Sequence, residues 1–202
     1  MKGLYLVTAD WDDTEKLLAA SEQAIEGGAT LLQYRHKTAN ESLRLEQSSA
    51  LLSLCRRLNV PLIINDHLDL CIHIDADGIH LGGTDASIAE ARKKIGTEKI
   101  IGASCYGDMQ LARDATAAGA SYVAFGGFYP SRVKKYEVTT SPSIITQALA
   151  EISIPFCVIG GMTPQNARPL INLGAHAVAA ISSVYAAENH RLAATEFAAL
   201  FR

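Results

Sequence analysis

A dense group of cationic and hydrogen-bonding side chains, Gln33-Tyr34-Arg35-His36-Lys37, directly follows a short apolar run. If that run is a strand, alternate side chains share a face, so Gln33, Arg35 and Lys37 point the same way. Two cations and an amide at one strand end suit a polyphosphate, because guanidinium and ammonium groups bind phosphate oxygens. A solvated strand edge is the alternative, and it is disfavoured because three residues of a parallel strand that face one way seldom all face water.

Acidic residues follow the next two apolar runs. Asp66 comes directly after Ile63-Ile64-Asn65, and Asp85 comes shortly after Gly78–Leu81. Neighbouring parallel strands end at the same edge, so the two carboxylates are expected to lie close enough to share Mg²⁺ with substrate phosphates. Either aspartate fits a helix N-cap as well. His80, inside the fourth run, fits a satisfied core histidine as well as a catalytic one.

Further polar groups end the fifth and sixth runs. Ser104 fits either a phosphate ligand or the cap of the following helix. The segment Gly126–Lys135 carries three cations, Arg132, Lys134 and Lys135, beside glycines that let backbone approach a ligand closely. This pattern predicts a lid within residues 127–140, with a basic surface loop as the alternative.

The last two runs end in small residues. Gly160-Gly161 follows the seventh, and Ile181-Ser182 follows the eighth. In a barrel of alternating strands and helices, the loops after strands seven and eight commonly bind phosphate through backbone amides. Two phosphate-like sites on one face predict an enzyme that joins or exchanges phosphorylated small molecules.

Eight apolar runs alternating with helical patterns position these residues. The predicted strands are Leu4–Val7, Leu31–Tyr34, Leu62–Ile64, Gly78–Leu81, Ile100–Ala103, Tyr122–Phe125, Phe156–Ile159 and Ala177–Ala180. The predicted helices are Thr14–Glu26, Glu41–Leu58, Leu68–His73, Ile88–Ile95, Met109–Ala118, Ile144–Glu151, Pro164–Leu173 and His190–Phe201. The pairs Gly28-Ala29, Gly119-Ala120 and Gly174-Ala175 each close a helix and open a strand. We therefore predict an α/β fold, a single-domain (β/α)8 TIM barrel over residues 1–202; a doubly wound sheet is disfavoured because no GxGxxG follows the first strand.

Composition narrows the class of protein. The 202 residues are 49% hydrophobic and carry a net charge of −3, which gives no reason to expect nucleic acid or an anionic membrane as partner. We expect neither a signal peptide nor a membrane-spanning segment, because no apolar run approaches the required length. The four cysteines are widely spaced, and we expect reduced thiols in a cytoplasmic protein rather than disulfides or zinc ligands. The sequence does not determine the oligomeric state, and it is compatible with a homo-oligomer.

Together these segments resemble the thiamine phosphate synthase family over almost the whole chain. The matching segments are Gln33-x-Arg35-x-Lys37, Ile64-Asn65-Asp66, Asp77–Gly82 with Asp85, Gly102–Tyr106, Tyr122–Gly126 through Pro130-Ser131, Ile159-Gly160-Gly161 and Ile181-Ser182. Each is short, and it is their order and spacing that make the resemblance specific.

The resemblance implies a Mg²⁺-dependent transferase that couples hydroxymethylpyrimidine diphosphate to thiazole phosphate, giving thiamine phosphate and diphosphate. It implies pyrimidine diphosphate binding by Gln33, Tyr34, Arg35, His36, Lys37, Asn65, Ser104 and Lys134, of which Arg35, Lys37, Ser104 and Lys134 would be catalytic. It implies thiazole phosphate binding by Ser131, Arg132, Val133, Gly161, Ile181 and Ser182, and Mg²⁺ binding by Asp66 and Asp85. The implied mechanism is dissociative: diphosphate leaves, and the thiazole nitrogen attacks the resulting cation without a general base.

Two positions depart from the family pattern. Val133 stands where the family often has Thr, and Gly83 where it commonly has Gln, which puts the affinity for thiazole phosphate in doubt. The alternatives are a thiazole tautomerase-like isomerase, a phosphosugar epimerase and a non-catalytic ligand-binding regulator. The epimerase leaves the cations after the second strand unexplained. The intact Asp66, Asp85, Arg35 and Lys134 argue against the regulator.

Overall fold

The strands close into a parallel barrel. A computed structural model describes residues 1–82, 87–130 and 140–202. The strands are β1 Gly3–Val7, β2 Ala29–Tyr34, β3 Leu62–Asn65, β4 Gly78–Leu81, β5 Ile100–Tyr106, β6 Tyr122–Gly126, β7 Phe156–Ile159 and β8 Ala177–Ala180. Each pairs in parallel with the next, and β8 pairs with β1. The predicted (β/α)8 barrel is confirmed, and the open doubly wound sheet is excluded by the pairing of β8 with β1.

Helices alternate with these strands along the chain. They are α1 Thr14–Glu26, α2 Glu41–Leu58, α3 Leu68–His73, α4 Ile88–Ile95, α5 Met109–Ala117, α6 Ser143–Glu151, α7 Pro164–Asn172, α8 Ser182–Tyr185 and α9 His190–Ala198. A 3-10 turn at Ala199–Phe201 replaces the predicted last turn of α9. The short helix α8 is not among the helices predicted from sequence, because four residues are too few to show a helical repeat.

The end of β5 also differs from the prediction. The strand continues past Ala103 to Tyr106, with an irregular register between Ser104 and Tyr106 against β6. Tyr106 adopts a left-handed backbone conformation with φ of 51°. A bulge of this kind redirects side chains at a strand end, and here it comes directly after Ser104.

Two apolar layers explain why the strands read as hydrophobic runs. Alternate strand residues fill the barrel interior, and the others pack beneath the helices. The interior set is Tyr5, Val7, Leu31, Ile63, Tyr122, Ala124, Cys157, Ala177 and Ala179. In the register, Gln33 pairs with Val7 on one side and Ile63 on the other, so it too faces inward.

The repeated Gly-Ala pairs lie where helices turn into strands, as predicted. Gly28, Gly119 and Gly174 have φ of 110°, 93° and 112°, a region that side chains with a Cβ rarely adopt. Each glycine reverses the chain after its helix and sends it into β2, β6 or β8.

Gly102 makes room for a large interior side chain. A Cβ built on Gly102 would lie 2.1 Å from Cζ and 2.3 Å from the hydroxyl of Tyr122. The Tyr122 ring therefore occupies the space that any side chain at position 102 would need. Tyr122 is only 2% exposed, so its ring cannot swing into solvent to relieve an overlap.

The substitution Gly102→Ala should destabilise the barrel strongly. Overpacking a core costs about 1–3 kcal/mol, and we expect the free energy of unfolding in urea to fall by about 3 kcal/mol. Gly126→Ala is the matched control, because its added Cβ would meet Ile159 Cγ2 at 3.4 Å. We expect the control to lose less than about 1 kcal/mol, and equal losses would contradict this account.

Candidate active site

Arg35 lies buried at the carboxyl end of β2, held by groups from the loop after β1. The Thr8 hydroxyl donates to the Arg35 carbonyl at 2.8 Å and accepts from its amide at 2.8 Å. The guanidinium lies 3.3 Å from both carboxylate oxygens of Asp10, and only 7% of the Arg35 side chain is exposed. Asp10 also accepts from the backbone amide of Lys37 at 3.1 Å. One carboxylate thus orients the segment that carries both cations.

The strand alternation separates the five residues predicted at this strand end. Gln33 lies inside the barrel, and Tyr34 packs in the outer layer, where its hydroxyl donates to Gln47 Oε1 at 3.0 Å. His36 is buried: its Nδ1 accepts from the Ala39 amide, so its Nε2 donates to Asp12 at 3.0 Å. The side chains of Tyr34 and His36 are therefore engaged in packing α2 and its preceding loop, which leaves their backbone groups for any ligand.

The end of β3 presents an amide and a carboxylate. Asn65 and Asp66 are half-buried, and Asp66 has a left-handed backbone with φ of 63°. Its amide donates to the His80 carbonyl at 2.9 Å, which ties the ends of β3 and β4 together. The helix-cap alternative for Asp66 is not borne out, because His67 occupies the N-cap position of α3 and no side chain caps that helix.

Ser104 is joined to the barrel core rather than to a helix end. Its hydroxyl lies 2.9 Å from His80 Nε2, and Tyr122 Oη lies 2.9 Å from His80 Nδ1. The N-cap of α5 is Asp108, which accepts from the Gln110 amide. The cap alternative for Ser104 is thus wrong. His80 is 7% exposed with both ring nitrogens engaged, which matches the core alternative and links it directly to the site.

Small residues end β7 and β8 side by side. Because Ile159 pairs with Ala179, Gly161 and Ile181 lie at equivalent positions just beyond neighbouring strands. Gly161 has φ of 60°, and a Cβ there would lie 2.3 Å from the Pro130 carbonyl oxygen. The loop after β7 therefore packs tightly on the loop after β6 and leaves no room for a larger residue.

Arg35 and the end of β8 line a common cavity. Its volume is ≈ 220 Å³, and its walls include Trp11, Arg35, Ile181 and Ser182. Arg35 was predicted for the diphosphate half of the site, and Ile181 and Ser182 for the monophosphate half. The structure therefore brings residues of the two predicted halves to one cavity at the carboxyl ends of the strands.

Several predicted residues lie outside the described part of the chain. They are Gly83, Asp85, Ser131, Arg132, Val133 and Lys134, together with most of the predicted lid. The N-cap of α4 is Ser87, paired with Glu90 in a capping box. Within the described ranges no group of three or more His, Cys, Asp or Glu side chains could hold a metal.

The donors that are described suit Mg²⁺ nonetheless. Asp66 supplies a carboxylate next to the amide of Asn65 at the mouth of the barrel. Protein sites for Mg²⁺ typically use one or two carboxylates and complete the shell with water and substrate phosphates. Neither a thiolate nor an imidazole cage is needed, so this oxygen-rich strand end fits the ion.

The four cysteine thiols are buried and free. Burial raises the pKa of Cys55, Cys105 and Cys157 to about 12 and that of Cys71 to about 11. Thiols with such values stay protonated at neutral pH and are poor nucleophiles. Cys105 follows Ser104 in sequence, but its side chain packs in the outer layer and takes no part in the site.

Fold and site together define a class of protein. A (β/α)8 barrel carries a buried arginine, amides, a hydroxyl and a carboxylate at the carboxyl ends of its strands, where such barrels bind substrates. This combination of fold and site is typical of an enzyme that acts on phosphorylated small molecules.

The comparisons with known proteins identify the family. Residues 4–184 match the family model described as thiamine monophosphate synthase, and the chain belongs to that family. It is 62% identical to the thiamine-phosphate synthase of Janthinobacterium sp. (strain Marseille), over 100% of this chain and 97% of that protein. It is 48% identical to the enzyme of the same name from Nitrosospira multiformis, over 99% of this chain and 86% of that protein.

A solved structure supports the same assignment. The thiamine phosphate pyrophosphorylase from Pyrococcus furiosus superposes with a TM-score of 0.85 at 30% identity, covering 98% of this chain and 95% of that one. The predicted family, transferase class and barrel are therefore confirmed. No helix in the described ranges is both long and apolar enough to cross a membrane.

The thiols should be unreactive in the folded protein. At pH 8 a thiol of pKa about 12 is ionised roughly once in ten thousand molecules, and burial also blocks access. We expect almost no reaction with a chromogenic disulfide reagent, whereas protein unfolded in guanidinium should release the colour of all four thiols. A thiol that titrates at once in the native protein would contradict the burial described here.

Proposed function

We propose that this protein condenses hydroxymethylpyrimidine diphosphate with thiazole phosphate to give thiamine phosphate and diphosphate. The observation that carries the proposal is the cavity shared by Arg35, Ile181 and Ser182. A condensation requires two phosphorylated substrates to meet at one place, and this cavity adjoins a cation on one side and small residues of a barrel phosphate loop on the other. The family membership supplies the chemical identity of the two substrates.

The diphosphate half of the proposed site centres on β2, β3 and β5. Gln33, Arg35 and Ser104 are inward-facing or face the mouth, and Arg35 is held ready by Asp10. A buried guanidinium neutralises the developing charge of a leaving diphosphate more effectively than an exposed one, because little water screens it. Lys37, Asn65 and Lys134 complete the proposed set, and the side chains of Tyr34 and His36 serve only to position it.

The proposed metal site uses Asp66 and Asp85. Mg²⁺ held by these carboxylates would neutralise charge on the diphosphate as it leaves. Support comes from the two oxygen-bearing side chains at the end of β3, Asn65 and Asp66, which are both half-buried.

The monophosphate half of the proposed site lies at β7 and β8. Gly161, Ile181 and Ser182 would bind the phosphate of the thiazole substrate, joined by Ser131, Arg132 and Val133 from the loop after β6. Support comes from the position of Gly161 beside Ile181 at neighbouring strand ends. Val133 can offer only a backbone amide, so we expect the residues that follow β7 and β8 to make most of this contact.

The proposed chemistry is a dissociative substitution at the methylene carbon of the pyrimidine. The carbon–oxygen bond breaks first, and the diphosphate takes the electron pair. The thiazole nitrogen lone pair then forms the new carbon–nitrogen bond. That nitrogen carries no proton, so the reaction needs no general base, and the buried, protonated thiols are consistent with a site without a side-chain nucleophile. The residues act by binding, charge neutralisation and exclusion of water from the cation.

We also propose that the protein works in the cytoplasm. The cysteines are all free, which suits a reducing compartment.

One assay tests the proposed reaction. Purified protein mixed with both phosphorylated substrates and Mg²⁺ should release thiamine phosphate and diphosphate in equal amounts. Isomerisation of a thiazole carboxylate, with no thiamine phosphate formed, would instead establish the tautomerase alternative.

The substitution Asp66→Asn tests the metal assignment. Asn tolerates the left-handed backbone at position 66, as Ala does not, so the variant removes charge with little strain. We expect Mg²⁺-dependent turnover to fall at least about 100-fold, because loss of a ligand should cost no less than loss of a supporting residue. Asp69→Asn is the matched control, since Asp69 is exposed in the first turn of α3. Full activity of Asp66→Asn would show that the ion is held elsewhere.

A further inference from the structure

Five side chains form a continuous chain of hydrogen bonds across the barrel interior, here named the polar chain. Gln33 Nε2 donates to the Tyr5 hydroxyl at 2.6 Å, and the Tyr5 and Tyr122 hydroxyls lie 2.6 Å apart. Tyr122 Oη is 2.9 Å from His80 Nδ1, and His80 Nε2 is 2.9 Å from Ser104 Oγ. The two ends of the chain belong to the proposed substrate site. The three residues between them have no part in the function proposed so far.

Because the polar chain is buried, each of its hydroxyl hydrogens needs an acceptor within the protein or the bound ligand. Tyr5 is 1% exposed, and Tyr122 is 2% exposed. A buried hydroxyl that donates to nothing costs about 1–3 kcal/mol. Burial also raises the pKa of both tyrosines well above the ordinary value, so each keeps the proton that it can donate.

These constraints give the polar chain a direction. Gln33 donates to Tyr5, so the Tyr5 hydroxyl uses its own hydrogen on the oxygen of Tyr122. Tyr122 must then donate onward to Nδ1 of His80, which leaves that nitrogen without a hydrogen. A neutral imidazole carries its single hydrogen on the other nitrogen, so Nε2 donates to Ser104. The hydrogen of the Ser104 hydroxyl is consequently directed at an acceptor outside the chain.

We propose that Tyr5, Tyr122 and His80 are positioning residues that orient the Ser104 hydroxyl as a hydrogen-bond donor toward an oxygen of the substrate diphosphate. This inference rests on the proposed function, which supplies the diphosphate. A chain running in the opposite direction would consume the Ser104 hydrogen on His80 and turn lone pairs toward the mouth. Such lone pairs would repel a phosphate oxygen, so the direction of the chain decides whether Ser104 favours or opposes binding of an anion.

The ring packing holds the polar chain in place. The Tyr122 ring stacks on His80 with centroids 5.6 Å apart and meets the Tyr5 ring edge-on at 5.7 Å. Gly102 leaves the space in which the Tyr122 ring lies. The imidazole therefore has little freedom to flip and exchange its two nitrogens, as a positioning role requires.

Nitrogen-15 NMR of histidine-labelled, ligand-free protein at pH 8 tests the direction without any substrate. We expect His80 to carry its hydrogen on Nε2 and to show an unprotonated Nδ1, with His80→Gln identifying its signals among the six histidines. In Tyr122→Phe, Nδ1 loses its donor, so the His80 signals should move toward a mixture of the two neutral forms. A hydrogen on Nδ1 in the unmodified protein would overturn the proposal.

Kinetics test the consequence for the substrate. Tyr122→Phe should raise KM for the pyrimidine diphosphate about tenfold, the effect of one weakened hydrogen bond to a charged group, and change KM for thiazole phosphate less than about twofold. Ser21→Ala is the matched control. Ser21 of α1 is also fully buried, but its hydroxyl bonds the Tyr185 hydroxyl of α8 at 2.7 Å, outside the barrel interior. Equal increases for both substrates, or the same change in the control, would reduce Tyr122 to a structural role and contradict the proposal.

A second variant covers the case in which Tyr122→Phe does not fold. Measurements on the unmodified protein distinguish failure of this inference from failure of the proposed function. If Tyr122→Phe does not unfold cooperatively, Tyr5→Phe breaks the polar chain one bond further away and should shift the same KM in the same direction. Protein that forms no thiamine phosphate but carries the His80 hydrogen on Nε2 would refute the proposed function while confirming the direction of the chain. Active protein with the hydrogen on Nδ1 would refute the inference alone.

Discussion

The bond between the hydroxyls of Tyr5 and Tyr122 joins β1 to β6 through the middle of the barrel. Two phenol groups inside an otherwise apolar interior are stable only if every polar atom is bonded, because an unmet hydrogen bond there costs about 1–3 kcal/mol. That constraint accounts for the amide of Gln33 between the aliphatic Val7 and Ile63 of the neighbouring strands, and for the imidazole of His80 beside the Tyr122 hydroxyl. It accounts for Gly102 as well, since a side chain there would displace the Tyr122 ring.

The same alternation of side chains places the next inward-facing residue of β2 closer to the mouth of the barrel, where the site lies. Gln33 faces inward and bonds Tyr5, so Arg35, two residues on, also faces inward and reaches the mouth. A buried guanidinium needs a counter-charge, and Asp10 provides it from the loop after β1. Because Arg35 is already paired and desolvated, an incoming phosphate adds to an existing arrangement and need not order a flexible side chain.

Periodicity was sufficient to predict the barrel and the shared direction of Gln33 and Arg35, because both follow from local spacing. It was not sufficient for Asp10 or the pair Tyr5 and Tyr122. The two tyrosines are 117 residues apart, and each reads in isolation as an ordinary aromatic residue of a buried strand. Their hydrogen bond forms only because the sheet closes into a barrel. The spacing of residues within a single strand does not predict which distant strands meet.

The segment Gln33–Lys37 shows that neighbouring residues of one motif can have side chains with different surroundings. As one motif it suggested that all five contact the substrate, whereas the pleat sends Tyr34 outward to Gln47 and His36 to Asp12. The side chains of Tyr34 and His36 thus brace a helix and a loop, and any contact of these two residues with the substrate would come from their backbone groups. The alternation rule already separated the two sets, and it is more reliable here than proximity in sequence.

Barrel closure also explains how two distant parts of the chain come to line one cavity. In an open sheet of eight parallel strands in this order, β8 would lie at the opposite edge from β1 and β2. Pairing of β8 with β1 brings Ile181 and Ser182 to the cavity that Arg35 lines. A reaction in which the nitrogen of one substrate must reach a short-lived cation of the other depends on that adjacency, because separated substrates would leave the cation to water. Closure of the sheet is therefore a condition for the chemistry as well as for the fold.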